Sequence, residues 1–222
     1  MSTFWQRYKR NKSAVFGLAV IIIVIIMAAT ANFLYPFDPF RLAGKPLSGP
    51  GMNGFWLGSD SLGRDVAAGI VHGAKTSLLI GLIATLVAIF IGIVFGAFAG
   101  YYGGRLDDIL MRITEIFQTI PSFIFAILLV AIMKPSIVSI VIAIAVVSWP
   151  GVARLVRGEF LALKNREFVQ ACHTLGMNDL RIMLREILPN CMSPIIVIGS
   201  LMVATAILIE SGLAFLGLGD PN

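Results

Sequence analysis

The stretch TSLLIGLIATLVAIFIGIVFGAFAGYYGG, residues 76–104, contains no Asp, Glu, Lys or Arg. About 20 apolar residues in a helix cross the hydrocarbon core of a bilayer, which is about 30 Å thick. A backbone inside that core has no water to bond, so its N–H and C=O groups must pair within the segment. The stretch is therefore predicted to be a membrane-spanning helix.

Four further charge-free blocks lie on either side of this stretch. They cover residues 13–37, 116–133, 135–153 and 187–209, and the block 135–153 is interrupted at its end by Trp149-Pro150-Gly151. The first block follows Lys9, Arg10 and Lys12 and so resembles a signal peptide, but the apolar core of a signal peptide has only about 7–15 residues. We predict an all-α polytopic membrane protein with five spans.

The composition supports the same class. The chain is 58% hydrophobic and 13% charged, with a mean hydropathy of +0.91, whereas soluble domains are about 25% charged. These values exclude a soluble enzyme, a disordered protein and a disulfide scaffold. The net charge of +5 does not indicate nucleic-acid binding, because Lys and Arg accumulate in the cytoplasmic loops of membrane proteins.

The distribution of Lys and Arg predicts the orientation of the chain. With a cytoplasmic N-terminus, the inner segments 1–13, 101–115 and 154–186 hold 12 of these residues, against 5 in the outer segments 35–75, 134–136 and 210–222. This bias favours the N-terminus inside. Five spans then place the C-terminus outside, and we expect a sixth span to be missing after the turn-rich residues 217–222.

Small residues recur every four positions in the second block. They are Ala84, Ala88, Gly92, Gly96 and Gly100, which fall on nearly one face of a helix. Small residues let a neighbouring backbone approach closely in a membrane. The spacing fits both a sliding contact in a transporter core and static packing within the chain.

Candidate gate or pathway residues lie near the ends of the spans. They are Gln118, Pro121, Pro189, Pro194 and Glu210. Proline permits a membrane helix to kink, although it is also unstrained in a first helical turn. Glu210 is either a gate residue or an interfacial end charge. No other ionisable residue is expected deep in the membrane, which argues against coupling to protons or sodium through membrane carboxylates.

No pattern of an enzyme or a metal site is found in the sequence. His72 and His173 are predicted to lie on opposite sides of the bilayer, and no GxSxG, HExxH or phosphate-binding glycine loop occurs. Cys172 and Cys191 lie in a predicted reducing region without metal-ligand spacing. We expect no catalytic residue, no metal ligand and no ATPase in this chain.

Residues 154–186 form the main predicted cytoplasmic segment. Within it, EFVQACHTL at 167–175 places Phe168, Ala171, Cys172 and Leu175 on one face of a short amphipathic helix. Gly176 then occupies the position after the helix that glycine favours. Asn178 or Asp179 can begin a second helix with an apolar stripe of Leu180, Met183, Leu184 and Ile187. An exposed apolar stripe tied to spans at both ends needs a protein partner or the membrane surface.

These residues resemble a known membrane family. Gln170-Ala171-Cys172, Gly176 and Leu188-Pro189 fit the "EAA…G…LP" loop of permease subunits in binding-protein-dependent ABC importers. The resemblance extends from Trp5 to Asp220. Gly58-Ser59-Asp60 and Leu62-Gly63-Arg64-Asp65 are similar to the external segment of the dipeptide and oligopeptide permeases, and the motif residues there are Gly58, Asp60, Gly63, Arg64 and Asp65.

The loop departs from the family pattern at some positions. Gln170 and Cys172 replace a Glu and an Ala, and Glu186 stands where an apolar residue or a His is commoner. Glu167, one turn before Gln170, is expected to supply the missing carboxylate.

The resemblance implies a "C" type permease of the peptide/nickel group with a type I ABC importer transmembrane domain, multi-pass in the bacterial inner membrane. Residues 1–75 would form the N-terminal tail, first span and external loop, and residues 76–222 the truncated permease core. Its partners would be a second paralogous permease, two cytoplasmic ATP-binding subunits, an external solute-binding protein and membrane lipid, without nucleic acid. ATP and Mg²⁺ would bind the ATPases, and this chain would hold no cofactor.

By the same resemblance, the coupling residues are Glu167, Phe168, Gln170, Ala171, Cys172, Leu175 and Gly176. They would transmit ATPase movement to half of a translocation pathway for peptides or similar small solutes. Nickel, glutathione-like compounds, sugars and opine-like solutes remain alternatives. A membrane scaffold that docks a cytoplasmic partner through the same loop is the competing function, although it would not need the external motif.

Overall fold

Helices form most of the described chain. The computed structural model describes residue 6 and residues 8–52 and 54–219, in two compact units, 1–78 and 79–222. The helices are α1 Lys12–Leu34, α2 Val66–Tyr102, α3 Gly104–Gln118, α4 Ser122–Met133, α5 Ile137–Leu163, α6 Glu167–Thr174, α7 Asp179–Ile182 and α8 Leu188–Leu213. Within the described ranges, extended backbone pairs only as an isolated bridge between Ser59 and Asp65. The predicted all-α class is confirmed.

The spans agree in number with the prediction when one bent pair is counted. In the described part of the chain, α1, α2, α5 and the continuous stretch Asp179–Leu218 are each long and apolar enough to cross a membrane. That last stretch contains α7, α8 and two π-helical turns, Met183–Ile187 and Ala214–Leu218. The helices α3 and α4 qualify together as a fifth span, bent by 82°.

The third predicted span, residues 116–133, is wrong as a single straight helix. Its first residues end α3, and α4 begins only at Ser122, directly after Pro121. Proline disfavours helical backbone at the residue before it, which here is Ile120. Segment 101–115, which the distribution of Lys and Arg assigns to the inner side, is mostly α3, the first half of the bent pair. Because α3 contains charged residues, it is not one of the charge-free blocks of the sequence.

The interruption predicted at Trp149-Pro150-Gly151, at the end of the fourth span, is not present. Helix α5 continues through Pro150 to Leu163. Pro150 lacks the N–H that would bond the preceding turn, but Trp149 beside it packs against two aromatic rings. The ring centroids lie 4.7 Å from Phe95 and 5.4 Å from Phe117. Helix α5 is thus continuous through Pro150, and Trp149 beside it is buried between these rings.

The small residues of α2 form its contact with α5. Ala84 and Ala88 are fully buried. A Cβ atom at Gly100 would lie 2.7 Å from the Arg157 carbonyl oxygen and 2.7 Å from Phe160 Cβ. The absence of side chains at these positions therefore allows the two helices to touch through their backbones. The structure supports the packing interpretation of the four-residue spacing.

Candidate functional site

The predicted coupling helix is present as α6, and it ends in a Schellman motif. Gly176 adopts a left-handed conformation with φ of +74°. The N–H of Met177 donates to the Cys172 carbonyl at 3.1 Å, and the N–H of Gly176 donates to the His173 carbonyl at 2.9 Å. These two bonds satisfy carbonyls left open at a helix C-terminus. The prediction that Gly176 sets the turn is confirmed.

The apolar stripe predicted on α6 divides between two faces. Val169 is fully buried in a cluster with Phe160 and Ile182, and Cys172 packs partly buried against that cluster. Phe168 is 39% exposed and Leu175 is 80% exposed. The remaining predicted coupling residues, Glu167, Gln170, Ala171 and Gly176, are also exposed. Helix α6 is thus anchored through Val169 and presents Phe168, Ala171 and Leu175 outward.

Val169 is a residue that sequence reasoning missed. It lies three positions before Cys172, so the pair forms an apolar face of its own beside the predicted one. Two apolar faces on one short helix indicate one inner contact and one free surface.

The prediction of the second apolar stripe is wrong in part. Asn178 begins α7, and its Oδ1 accepts from the Leu180 N–H at 3.1 Å, as predicted. Met183 and Ile187 are buried, but Leu180 and Leu184 are exposed. The π-helical turn Met183–Ile187 inserts extra backbone into the helix. It therefore rotates the residues on either side away from α-helical spacing.

Tyr101 connects the end of α2 to the segment that contains the predicted coupling helix α6. Its hydroxyl donates to Asp179 Oδ1 at 2.9 Å and lies 3.3 Å from His173 Nε2. Lys164 Nζ donates to the Tyr101 carbonyl at 3.3 Å. Tyr101 thus contacts residues before α6, at its end, and after Gly176. Sequence reasoning did not single it out, because a tyrosine at a span end is also a common interfacial residue.

The external motif in residues 1–78 is a compact turn. Asp60 Oδ1 accepts from the N–H groups of Leu62 and Arg64, both at 2.8 Å. The hydrogen bond from Arg64, then those from Leu62 and Gly63 and the Arg64 charge, hold the pKa of Asp60 below its usual range, although burial opposes them. Asp65 Oδ1 accepts from the Ala67 N–H at 2.8 Å and so caps α2.

The two motif glycines are required by the backbone of this turn. Gly58 and Gly63 have φ of +85° and +79°. A Cβ at Gly58 would clash with the Ser48 carbonyl oxygen, and one at Gly63 with that of Gly44. Gly58, Asp60, Gly63 and Asp65 therefore have structural roles in the described segment. The backbone N–H of Arg64 takes part in the turn, and its guanidinium lies 5.4 Å from the centroid of the Phe40 ring.

The candidate gate residues occupy three separate places. Gln118 and Pro121 flank the bend between α3 and α4. Pro189 lies in the first turn of α8, and the helix continues through Pro194. Glu210, in the last turn of α8, is 8% exposed. Their role in a gate stays a prediction.

The loop, the external motif and the spans match known permeases along the whole chain. Residues 92–221 match the family described as "Binding-protein-dependent transport system inner membrane component". This chain belongs to that family. Residues 1–48 of the permease match a second family, "N-terminal TM domain of oligopeptide transport permease C".

Similar proteins come from several bacteria. The "Dipeptide transport system permease protein DppC" of Bacillus subtilis is 42% identical over 97% of this chain and 67% of its own length. The "Oligopeptide transport system permease protein OppC" of the same species is 38% identical over 97% of this chain and 70% of its own length. The "Glutathione transport system permease protein GsiD" of Pectobacterium atrosepticum is 38% identical over 97% of this chain and 72% of its own length.

The family resemblance is therefore confirmed. The permease is a multi-pass inner membrane protein with a type I ABC importer transmembrane domain, and it forms part of a translocation pathway. As a component of a binding-protein-dependent system, it works with partner subunits. The ends of the resemblance, Trp5 and Asp220, lie outside the described residues.

Proposed function

We propose that this permease forms half of the pathway through which an ATP-driven importer moves peptides into the cell. The names of its relatives include dipeptide, oligopeptide and glutathione transport. All three are peptides or peptide-like compounds, so a short peptide is the substrate class that these relatives share.

The exposed face of α6 carries the proposal for coupling. Phe168, Ala171 and Leu175 project outward from a helix that is fixed on its other side by Val169. Burying a side chain such as Leu175 against a partner contributes about 1.5–3 kcal/mol. Two cytoplasmic ATP-binding subunits are the partners that fit, and a second permease and an external solute-binding protein complete the assembly.

In this mechanism ATP and Mg²⁺ bind only to the ATPases, and the permease holds no cofactor and catalyses no reaction. Closure of the ATPase pair would push α6 as a rigid body. Because Val169 of α6 is buried in the same apolar cluster as Phe160 of α5, the push would reach the spans and switch them between outward- and inward-facing states.

Purification from the native membrane in mild detergent, followed by mass spectrometry, tests the assembly. Recovery of a second permease and Walker-motif ATPases would support the proposal. Recovery of the chain with a partner that is not an ATPase would refute it and favour a scaffold. A Leu175→Asp variant should lose the ATPases, whereas Leu184→Asp, at a residue 61% exposed outside α6, should retain them.

A further inference from the structure

A π-helical turn interrupts the continuous helical stretch Asp179–Leu218. It covers Met183–Ile187, between α7 and α8. The Leu188 N–H donates to the Met183 carbonyl five residues back, whereas an α-helix pairs residues four apart. The turn therefore holds one extra residue. Because each α-helical residue rotates the chain by about 100°, the turn rotates α7 by about this angle relative to α8.

Burial around the turn follows this rotation. Ile182 and Ile187 are fully buried. Leu180 and Leu184 are 48% and 61% exposed. In an unbroken α-helix, Ile182 would lie about 140° around the helix from Ile187, and Leu180 only about 20° from it. The structure shows the opposite arrangement, which one inserted residue produces.

A second register, in which other residues of this helix face inward, also fits the sequence. Leu180, Met183, Leu184 and Ile187 have the i, i+3, i+4 and i+7 spacing of one apolar face on an unbroken α-helix. In that register Leu180 and Leu184 would take the inner positions, and Ile182 would turn outward. Either register thus packs apolar side chains on the side of Ile187. Two packings of one sequence at one place are the requirement for a two-state element.

The hydrogen bond of Asp179 distinguishes the two registers. Asp179 Oδ1 accepts from the Tyr101 hydroxyl at 2.9 Å. A rotation of about 100° would carry Asp179 out of reach of Tyr101, so only the observed register keeps this bond. Pro189 eases the exchange of registers, because it has no N–H for the Arg185 carbonyl and one backbone hydrogen bond fewer has to change its partner.

We infer that α7 and the π-helical turn form a two-position switch. In the observed register Asp179 and Ile182 face inward. In the other register Leu180 and Leu184 face inward. Only residues 175–178 lie between α6 and α7, so a movement of α6 acts directly on α7 and favours the register that fits the moved helix. This inference rests on the proposed function, in which the ATPases move α6.

Cysteine labelling of the purified complete importer tests the switch. Leu180→Cys and Ile182→Cys are made separately, with Cys172 and Cys191 replaced by Ala, and are treated with a charged methanethiosulfonate reagent. The rates are measured without nucleotide and with ATP and vanadate. We expect Leu180→Cys to react at least about tenfold faster than Ile182→Cys in one condition and no faster in the other, because a buried thiol reacts slowly. The same ratio of rates in both conditions would overturn the switch.

Deletion of Leu184 should lock the observed register. It removes the extra residue, so Ile182 comes to lie four positions before Ile187 and faces inward in an ordinary α-helix. Asp179 then keeps its hydrogen bond to Tyr101. The shortened chain should assemble with the ATPases and keep one labelling ratio in both conditions. Because transport requires both registers, its uptake of radiolabelled dialanine should fall at least about tenfold.

Leu184→Ala is the matched control for the deletion, because it keeps the extra residue. It should retain both the change in labelling ratio and the uptake. Uptake by the deletion variant equal to that of Leu184→Ala would overturn the switch. ATP hydrolysis with an unchanged labelling ratio would overturn the switch alone, whereas a purified importer without ATPases would refute the proposed function on which the switch depends.

Discussion

Arg157 and Asp107 are joined by two parallel hydrogen bonds, from Nε to Oδ1 at 2.6 Å and from Nη2 to Oδ2 at 2.7 Å. Asp107 lies in the first turn of α3 and is 9% exposed. Arg157 lies in the part of α5 that extends beyond the predicted span. The pair therefore fixes the start of α3 to α5, the helix that precedes the predicted coupling helix α6.

Removing one partner of this ion pair should destabilise the permease. Asp107→Ala leaves the guanidinium without its planar acceptor, and we expect a loss of about 1–3 kcal/mol. Arg157→Lys should lose part of this stability, because an ammonium cannot form the two-point contact. Thermal unfolding in detergent measures both. Glu115→Gln is the matched control, since its partner Arg112 is exposed at 3.5 Å, and such pairs contribute about 0–1 kcal/mol. Equal effects of Asp107→Ala and Glu115→Gln would contradict this assignment.

The contact between α2 and α5 predicts opposite effects for two glycine substitutions. Gly100→Ala places a methyl group 2.7 Å from the Arg157 carbonyl oxygen, and overpacking of this kind costs about 1–3 kcal/mol. Gly158→Ala, in α5, meets no atom within 4 Å and should gain up to about 1 kcal/mol of helix propensity. Melting temperatures of the two variants in the same detergent give the comparison. A stabilised Gly100→Ala would show that the helices do not touch there.

The sequence predicts those parts of the fold that follow from local chemistry. Charge-free blocks locate the lipid-facing helices, and Gly176 is recognisable because its left-handed conformation depends on a single residue. Packing between segments that are distant in the sequence cannot be predicted from local chemistry. Pro150 predicts a helix end, but in the structure α5 continues through it, and Trp149 packs against Phe95 and Phe117. Likewise, the charged residues of α3 exclude it from the charge-free blocks, and its packing beside α5 through Asp107 and Phe117 is visible only in the structure.

Substitutions of Gly176 should impair coupling in proportion to the backbone strain that they introduce. Its φ is +74°, and a Cβ atom added there would have no neighbouring atom within 4 Å, so a substitution meets backbone strain but no clash. A left-handed conformation costs an ordinary residue about 1–2 kcal/mol, and Asn less. We expect Gly176→Val to lower transport per ATP hydrolysed, Gly176→Asn to lower it less, and both to insert in the membrane. Equal transport by all three forms in proteoliposomes would remove the turn from the coupling mechanism.

The external motif should respond to acid through Asp60. Its pKa is lower in the folded segment than the ordinary value of 3.8, chiefly through the hydrogen bond from Arg64. The resulting stability is therefore present above pH about 4 and is lost as the pH falls through the lowered pKa. Hydrogen exchange at the Leu62 and Arg64 amides, corrected for intrinsic rates, measures this loss. Asp60→Asn keeps an acceptor without the charge, so its protection should vary less with pH. The same pH dependence in both forms would exclude Asp60 as the cause.

Loss of the Tyr101 hydroxyl should impair coupling and leave the assembly intact. Tyr101→Phe removes the hydroxyl that bonds Asp179 at 2.9 Å and faces His173 at 3.3 Å, while the ring keeps its place beside His173. Since α6 is otherwise held to the core mainly through Val169 and Cys172, its C-terminal end should move more freely. We expect transport per ATP hydrolysed to fall by about threefold to tenfold, which corresponds to about 0.7–1.4 kcal/mol, the contribution of a typical single hydrogen bond.

The neighbouring residue supplies the control for Tyr101. Tyr102→Phe also removes a hydroxyl at the end of α2, from a side chain that is 46% exposed, and should transport normally. Asp179→Ala should reproduce the defect of Tyr101→Phe, and the double variant should be no worse than the more affected single variant, because both changes remove one hydrogen bond. Additive losses would show that the two residues act separately. Loss of the ATPase subunits from purified Tyr101→Phe complexes would show that Tyr101 supports assembly and does not transmit movement.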